Sequence, residues 1–137
     1  PTYDEELEIV NRYAYEHAEK RLKVVMNKEN LLDLQQLTRQ VPIATDLKQE
    51  VVKLVTATRH QKDIIEYGAS PRASIGLFIA SKADALLKGK SFVTPQNIKE
   101  VAHDVLRHRI ILNYEGQAEN INPDDFISEI LSKVPIP

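Results

Sequence analysis

Gly68-Ala69-Ser70-Pro71-Arg72-Ala73-Ser74-Ile75-Gly76-Leu77-Phe78-Ile79-Ala80-Ser81-Lys82-Ala83-Asp84-Ala85-Leu86-Leu87-Lys88-Gly89 carries both the start and the stop of a helix. Ser70 is a capping residue type, and Pro71 sits where the first helical residue needs no N–H donor. Gly89 supplies the left-handed residue that ends a helix. Nothing between them interrupts one. Ile75, Phe78, Ile79, Ala83 and Leu86 recur at helical spacing and are expected to form the buried face.

The same devices recur on both sides. Thr94-Pro95 opens another helix, whose inner stripe is Ile98, Val101, Ala102, Val105 and Leu106. Upstream, Thr45 is expected to cap a helix with Asp46 in its first turn and Leu47, Val51, Leu54, Val55 and Thr58 on one face. Asn27 is expected to cap a helix from Lys28 to Arg39, with Leu31, Leu34 and Leu37 or Thr38 inward. At the start, Thr2 and Glu5 have capping-box spacing, and Leu7, Val10, Ala14, Ala18 and Arg21 share a face. Downstream, Asn122-Pro123 opens a last helix through Phe126, Ile127, Ile130 and Leu131, ended by Pro135. His60–Gly68 and the acidic stretch Glu115–Asn120 read as loops. Only Val41–Ile43, Ser91–Val93 and Ile110–Leu112 look strand-like, and each is short. The expected fold is therefore all-α: one helical bundle over 1–137, with at most very short strands.

Composition agrees with one soluble domain: 137 residues, 42% hydrophobic and 28% charged. Lys+Arg is 18 and Asp+Glu is 20, a net charge of −2. That balance argues against nucleic acid, which needs a basic face to displace counterions. The chain has no Cys, which excludes disulfides, thiolate metal sites and Cys nucleophiles. No apolar run reaches the ~20 residues of a membrane span, and no signal peptide is visible, so a cytoplasmic protein without a membrane partner is expected. The chain opens at Pro1 and its single methionine is Met26, so it reads as a piece of something longer. Charge is uneven: residues 61–112 carry +3 and residues 113–137 carry −4. An anion is best placed in the middle segment.

Four glycines leave no room for a phosphate-cradling loop or a dinucleotide fingerprint, and no Ser/His/Asp elbow is present. His103 and His108, five residues apart, are rotated ~140° from each other on a helix and do not suit a shared metal. His17 and His60 stand alone, and Asp124-Asp125 complement a helix dipole. Arg72 is different. A cation in a first helical turn opposes the dipole at a cost of ~0.3–1 kcal/mol. The conflict vanishes when an anion sits before the helix, held by free N–H groups and clamped by the guanidinium. Alternatively, Arg72 pairs with a nearby carboxylate or points to water. Arg59 ends the preceding helix, where a cation suits the dipole. Arg107-His108-Arg109 closes the next one in the same way, although a small nucleic-acid patch would also use it.

Ala57-Thr58-Arg59, Gly68-Ala69-Ser70-Pro71-Arg72-Ala73, Val93-Thr94-Pro95 and Val105-Leu106-Arg107-His108-Arg109-Ile110, in that order, resemble the C-terminal lid of MoxR-type AAA+ ATPases. Pro1-Thr2-Tyr3 with Glu5-Glu6 is similar to the stretch after the last strand of the AAA+ core. The resemblance spans 1–114; 115–137 is then an acidic loop and a C-terminal helix. It implies that Arg72 is the sensor-2 arginine, reaching the phosphates of ATP held by the core of the same chain. Ser70 and Pro71 would shape the turn that aims it. Arg59 is a secondary nucleotide-binding candidate, and His108 and Arg109 fall to packing or inter-subunit roles. The resemblance further implies ATP and Mg²⁺ in the complete protein, with the Mg²⁺ ligands outside this chain. It also implies ring neighbours, a chaperone-like remodelling activity and a von Willebrand factor A domain protein as candidate partner. The chain alone should not hydrolyse ATP. The competing expectation is a stand-alone helical interaction module without catalytic activity.

Overall fold

A computed structural model describes residues 1–14 and 23–134. The chain divides into two compact units, Pro1–Leu31 and Leu32–Pro137.

In the first unit, α1 spans Tyr3–Ala14. The Glu5 carboxylate accepts from the Thr2 N–H at 2.7 Å, one half of the expected capping box. The helix buries none of its residues, so Leu7 and Val10 are exposed rather than packed. Ala18, Arg21 and His17 lie outside the described residues, as does Pro135 at the other end. α2, Lys28–Gln40, has its residues 32–40 in the second unit and begins as expected: Asn27 Oδ1 accepts from the Asn30 N–H at 2.8 Å.

The second unit holds the core. α3 (Thr45–Ala57) points Leu47, Val51, Leu54 and Val55 inward, and Thr58 just beyond it is fully buried. Thr45 is the first helical residue rather than the cap; Ala44 stands at the cap position without a side-chain bond. α4 (Pro71–Leu87) and α5 (Pro95–Leu106) form the most extensive helix pair, and α3 packs on α4. α5 buries Ile98, Ala102 and Leu106 with Val101 and Val105 partly buried, the stripe read from its periodicity. A 3₁₀ turn (Arg107–Arg109) follows it. α7 (Pro123–Lys133) closes the core with Phe126, Ile127 and Ile130 and packs on α5 and α3.

The buried face of α4 is not the expected one. Ala73, Leu77, Ser81, Lys82 and Ala85 are inside, while Ile75 and Ile79 face outward at 60% and 41% exposure. The helix is apolar nearly all round, so bulk alone does not mark its inner side. The inner side combines the small Ala73, Ser81 and Ala85 with Leu77, while Ile75 and Ile79 are left outside. Lys82 is inside because its Nζ donates to the Arg39 carbonyl at 2.8 Å, satisfying the C-terminal end of α2, and lies 5.0 Å from the Phe78 ring centroid. Burial, and then the charge of Lys48, lower its pKa. The end of α4 follows expectation: Gly89 has φ +67°, the Lys90 N–H reaches the Ala85 carbonyl and the Gly89 N–H the Leu86 carbonyl.

Two segments read as loops are ordered otherwise. β1 (Ile65–Tyr67), inside the expected 60–68 loop, pairs antiparallel with β2 (Ile111–Leu112), Ile65 opposite Leu112. α6 (Tyr114–Ala118) occupies the acidic stretch. Asn113 explains both: its Oδ1 caps α6 through the Gly116 N–H, and its Nδ2 donates to the Lys62 and Asp63 carbonyls beside β1. Val41–Ile43 and Ser91–Val93 are not strands; the Val93 N–H donates to the Pro42 carbonyl at 2.9 Å. The fold class stands as all-α with one minimal two-stranded sheet.

The α4–α5 joint is polar. The fully buried Asn97 accepts the Thr94 N–H at 2.8 Å and donates to Asp84 Oδ2 at 2.6 Å. Lys88 bridges Asp84 and Glu100. Burial raises the Asp84 pKa, but Asn97, Lys88 and Lys90 outweigh it and leave the carboxyl below its usual value. A depressed folded pKa adds stability that is present above the unfolded value near ~3.9 and is lost as pH falls through the folded one. Asp84→Asn should therefore flatten the acid limb of the stability curve below about pH 4. Urea midpoints at pH 7 and pH 3 would show it, as a smaller drop in the variant than in the parent chain.

Gly76 stands in the middle of α4 without steric need. A Cβ there would meet Val105 Cγ1 at 3.5 Å and Arg109 Nη2 at 3.9 Å, ordinary contacts. Glycine in a helix interior costs about 0.5–1 kcal/mol relative to alanine. Gly76→Ala should raise the unfolding free energy by about that amount, read as a higher urea midpoint at unchanged slope.

Candidate functional site

Arg72, Ser70, Pro71 and Arg59 meet at the N-terminus of α4. Ser70 is the cap residue by backbone, extended at φ −74° and ψ 169°, but its hydroxyl makes no capping bond. Its conformation follows from Pro71, which pushes the preceding residue out of the α region. Pro71, at the first helical position, fixes its own φ and has no N–H to satisfy. Arg72 is exposed and has no hydrogen-bond or ion-pair partner among the described residues. Of the two alternatives to anion binding, pairing with a carboxylate is thus absent among the described residues, and the guanidinium faces outward.

The N-terminus of α4 is unlike the others described. α1, α3, α6 and α7 carry acids in their first turns, α2 carries Glu29 and the Asn27 cap, and α5 has the Asn97 bond to Thr94. α4 has neither an acid nor a side-chain cap in its first turn, and it has Arg72 instead. The local field is therefore positive twice over, from the dipole and from the guanidinium.

Arg59 lies in the turn after α3 rather than at its last helical residue. Its Nε donates to the Ala69 carbonyl at 2.7 Å. Thr58 completes the arrangement: its Oγ1 donates to the Val55 carbonyl at 2.7 Å and accepts the Ala69 N–H at 2.9 Å. Ala69 is fully buried. Gly68 is required here, because a Cβ would stand 2.5 Å from the Thr58 carbonyl and 2.8 Å from Arg59 Cα. In the sequence, Thr58 belongs to an apolar stripe and to the run Ala57-Thr58-Arg59, neither of which shows the bond to Ala69. The signal for more was its hydroxyl at a position the stripe otherwise fills with Leu and Val, since a buried hydroxyl must find partners.

The remaining candidates are held elsewhere. Arg107 Nε bonds Asp124 at 3.0 Å, and Arg109 Nη1 donates to the Val105 carbonyl at 2.5 Å. His103 bonds the Ser128 hydroxyl at 3.0 Å. Among the described residues no group of three or more His, Asp or Glu is arranged to hold a metal ion, and no helix is long and apolar enough to cross a membrane.

Residues 56–130 match the AAA lid domain family, a span that takes in Thr58, Arg59, Gly68–Arg72 and most of α7. The chain is 34% identical to Chaperone MoxR1 of Mycobacterium tuberculosis, aligned over all of this chain and 38% of that protein. It is also 34% identical to the Bacillus subtilis protein YeaC, over all of this chain and 42% of that protein. A solved structure of a candidate ATPase from Cytophaga hutchinsonii superposes with a TM-score of 0.82 at 36% identity, covering 99% of this chain and 44% of that one. The chain thus spans about two fifths of the length of these relatives. These likenesses do not favour a stand-alone interaction module.

Proposed function

Because the chain belongs to the AAA lid domain family, we propose that it serves as the lid of a MoxR-type AAA+ ATPase, with Arg72 as its sensor-2 arginine. The observation that carries this reading is the first turn of α4, which has no acid and no side-chain cap but an exposed, unpartnered arginine. Such a terminus fits a phosphate: the helix dipole and the guanidinium attract the same charge, and two parallel N–H···O bonds fix its orientation. ATP supplies that phosphate when the core holds it. Arg72 then offsets the negative charge that develops on the transferring group, a task worth most where water is excluded.

Ser70 and Pro71 serve by shape, and Arg59 is a secondary candidate whose Nε is already committed to Ala69. In this reading the Mg²⁺ ligands belong to the core. The outward Ile75 and Ile79 stand three and seven residues after Arg72, on the same side of α4, and the reading gives that apolar stripe to the surface meeting the core. Ring neighbours, chaperone-like remodelling and a von Willebrand factor A domain partner come with the reading, and no residue of the chain is assigned to them.

The test is ATP turnover in the protein that joins this lid to an AAA+ core. Slower turnover in Arg72→Ala with unchanged assembly supports the reading. Unchanged turnover with normal assembly removes it.

A further inference from the structure

We propose that Thr58 and Arg59 are positioning residues that act through Arg72, by clamping the backbone of Ala69 and so fixing where α4 begins; this rests on the sensor-2 reading of Arg72. Ala69 is bonded on both sides of its own residue: its N–H goes to Thr58 Oγ1 at 2.9 Å and its carbonyl accepts from Arg59 Nε at 2.7 Å. The two partners are consecutive, ten and eleven positions away in sequence. Thr58 is anchored in turn by its bond to the Val55 carbonyl in α3. Gly68 lets the two backbones approach closely enough for both bonds.

Between Ala69 and Arg72 the chain has few soft torsions. Ser70 is held extended by the proline after it, Pro71 has a locked φ, and the Ala73 N–H closes the first turn onto the Ser70 carbonyl at 2.8 Å. An orientation set at Ala69 is therefore passed to Arg72 with little loss. Arg72 has no partner of its own among the described residues, so the aim of its backbone is set upstream. A misplacement of about 1 Å in a group that stabilises a transition state can lower a rate by up to 10²-fold.

The experiment is a double-mutant cycle on ATP turnover in the core-containing protein, joined to amide hydrogen exchange at Ala69 in this chain. Thr58→Val keeps shape and removes both hydroxyl bonds. It should speed Ala69 exchange and lower kcat about tenfold, within that positioning bound, and Thr58→Ser should restore both. Thr58→Val added to Arg72→Ala should slow turnover no further than Arg72→Ala alone, and Arg59→Met should behave likewise. If Thr58→Val does not fold, Arg59→Met, at an exposed position, carries the cycle by itself. Additive losses would overturn the proposal, and for Arg59 would mean a phosphate contact of its own. Faster Ala69 exchange with wild-type turnover, beside a slow Arg72→Ala, would overturn positioning and leave the sensor reading standing. Wild-type turnover in Arg72→Ala would remove the sensor reading and this proposal with it.

Discussion

Arg72→Ala is expected to lower ATP turnover of the core-containing protein about 10²-fold, the loss typical of removing one preorganised donor from a developing charge. The change should leave the lid folded. Arg72 is exposed and without a partner among the described residues, so truncation orphans no buried group and opens no cavity. It also removes a cation from the positive end of α4, which should make this chain slightly more stable, by roughly 0.3–1 kcal/mol at low salt. The combination is diagnostic, because a merely structural arginine would lose stability and activity together. Arg72→Lys should fall between, keeping the charge without the planar fork. Steady-state turnover beside urea denaturation checks both halves.

Phe126→Ala should have the largest effect on stability. Its side chain is 2% exposed in α7, which packs on α5 and α3. Truncating a buried Phe costs about 3–5 kcal/mol in lost transfer energy and residual cavity, a large share of the ~5–15 kcal/mol that holds a domain together. With a urea slope of about 1–3 kcal/mol/M, the midpoint should drop by about 1 M or more. The Arg107–Asp124 and His103–Ser128 bonds place α7 against the end of α5 as well. A shift equivalent to less than about 0.5 kcal/mol, the range of surface substitutions, would mean that the acidic C-terminal segment is an appendage.

What could be read from residues alone followed the strength of local signals. Pro71, Pro95, Asn27, Asn122 and Gly89 mark helix ends by chemistry that tertiary context rarely overrides, and the structure keeps each of them in that place. The stripes of α3 and α5 were legible because polar residues flank them. α4 misled because its outward side is also apolar; the choice between Ile75 and Leu77 is made by packing against other elements, which no single-helix pattern contains. β1 and α6 escaped because each is short and depends on Asn113, a residue between them that ties both. At the site, the dipole conflict at Arg72 was visible from spacing alone. The Thr58–Ala69 bond was not, since it joins residues eleven apart through a hydroxyl hidden in an apolar stripe.

In the proposed role, Arg72 reads the terminal phosphate. The most direct measurement is the ratio of ATP to ADP affinity in the core-containing protein, with and without Arg72→Ala, at matched ionic strength. The variant is expected to lose most of the preference for ATP while ADP affinity changes little. An unchanged ratio, in a variant that still folds and assembles, would contradict it.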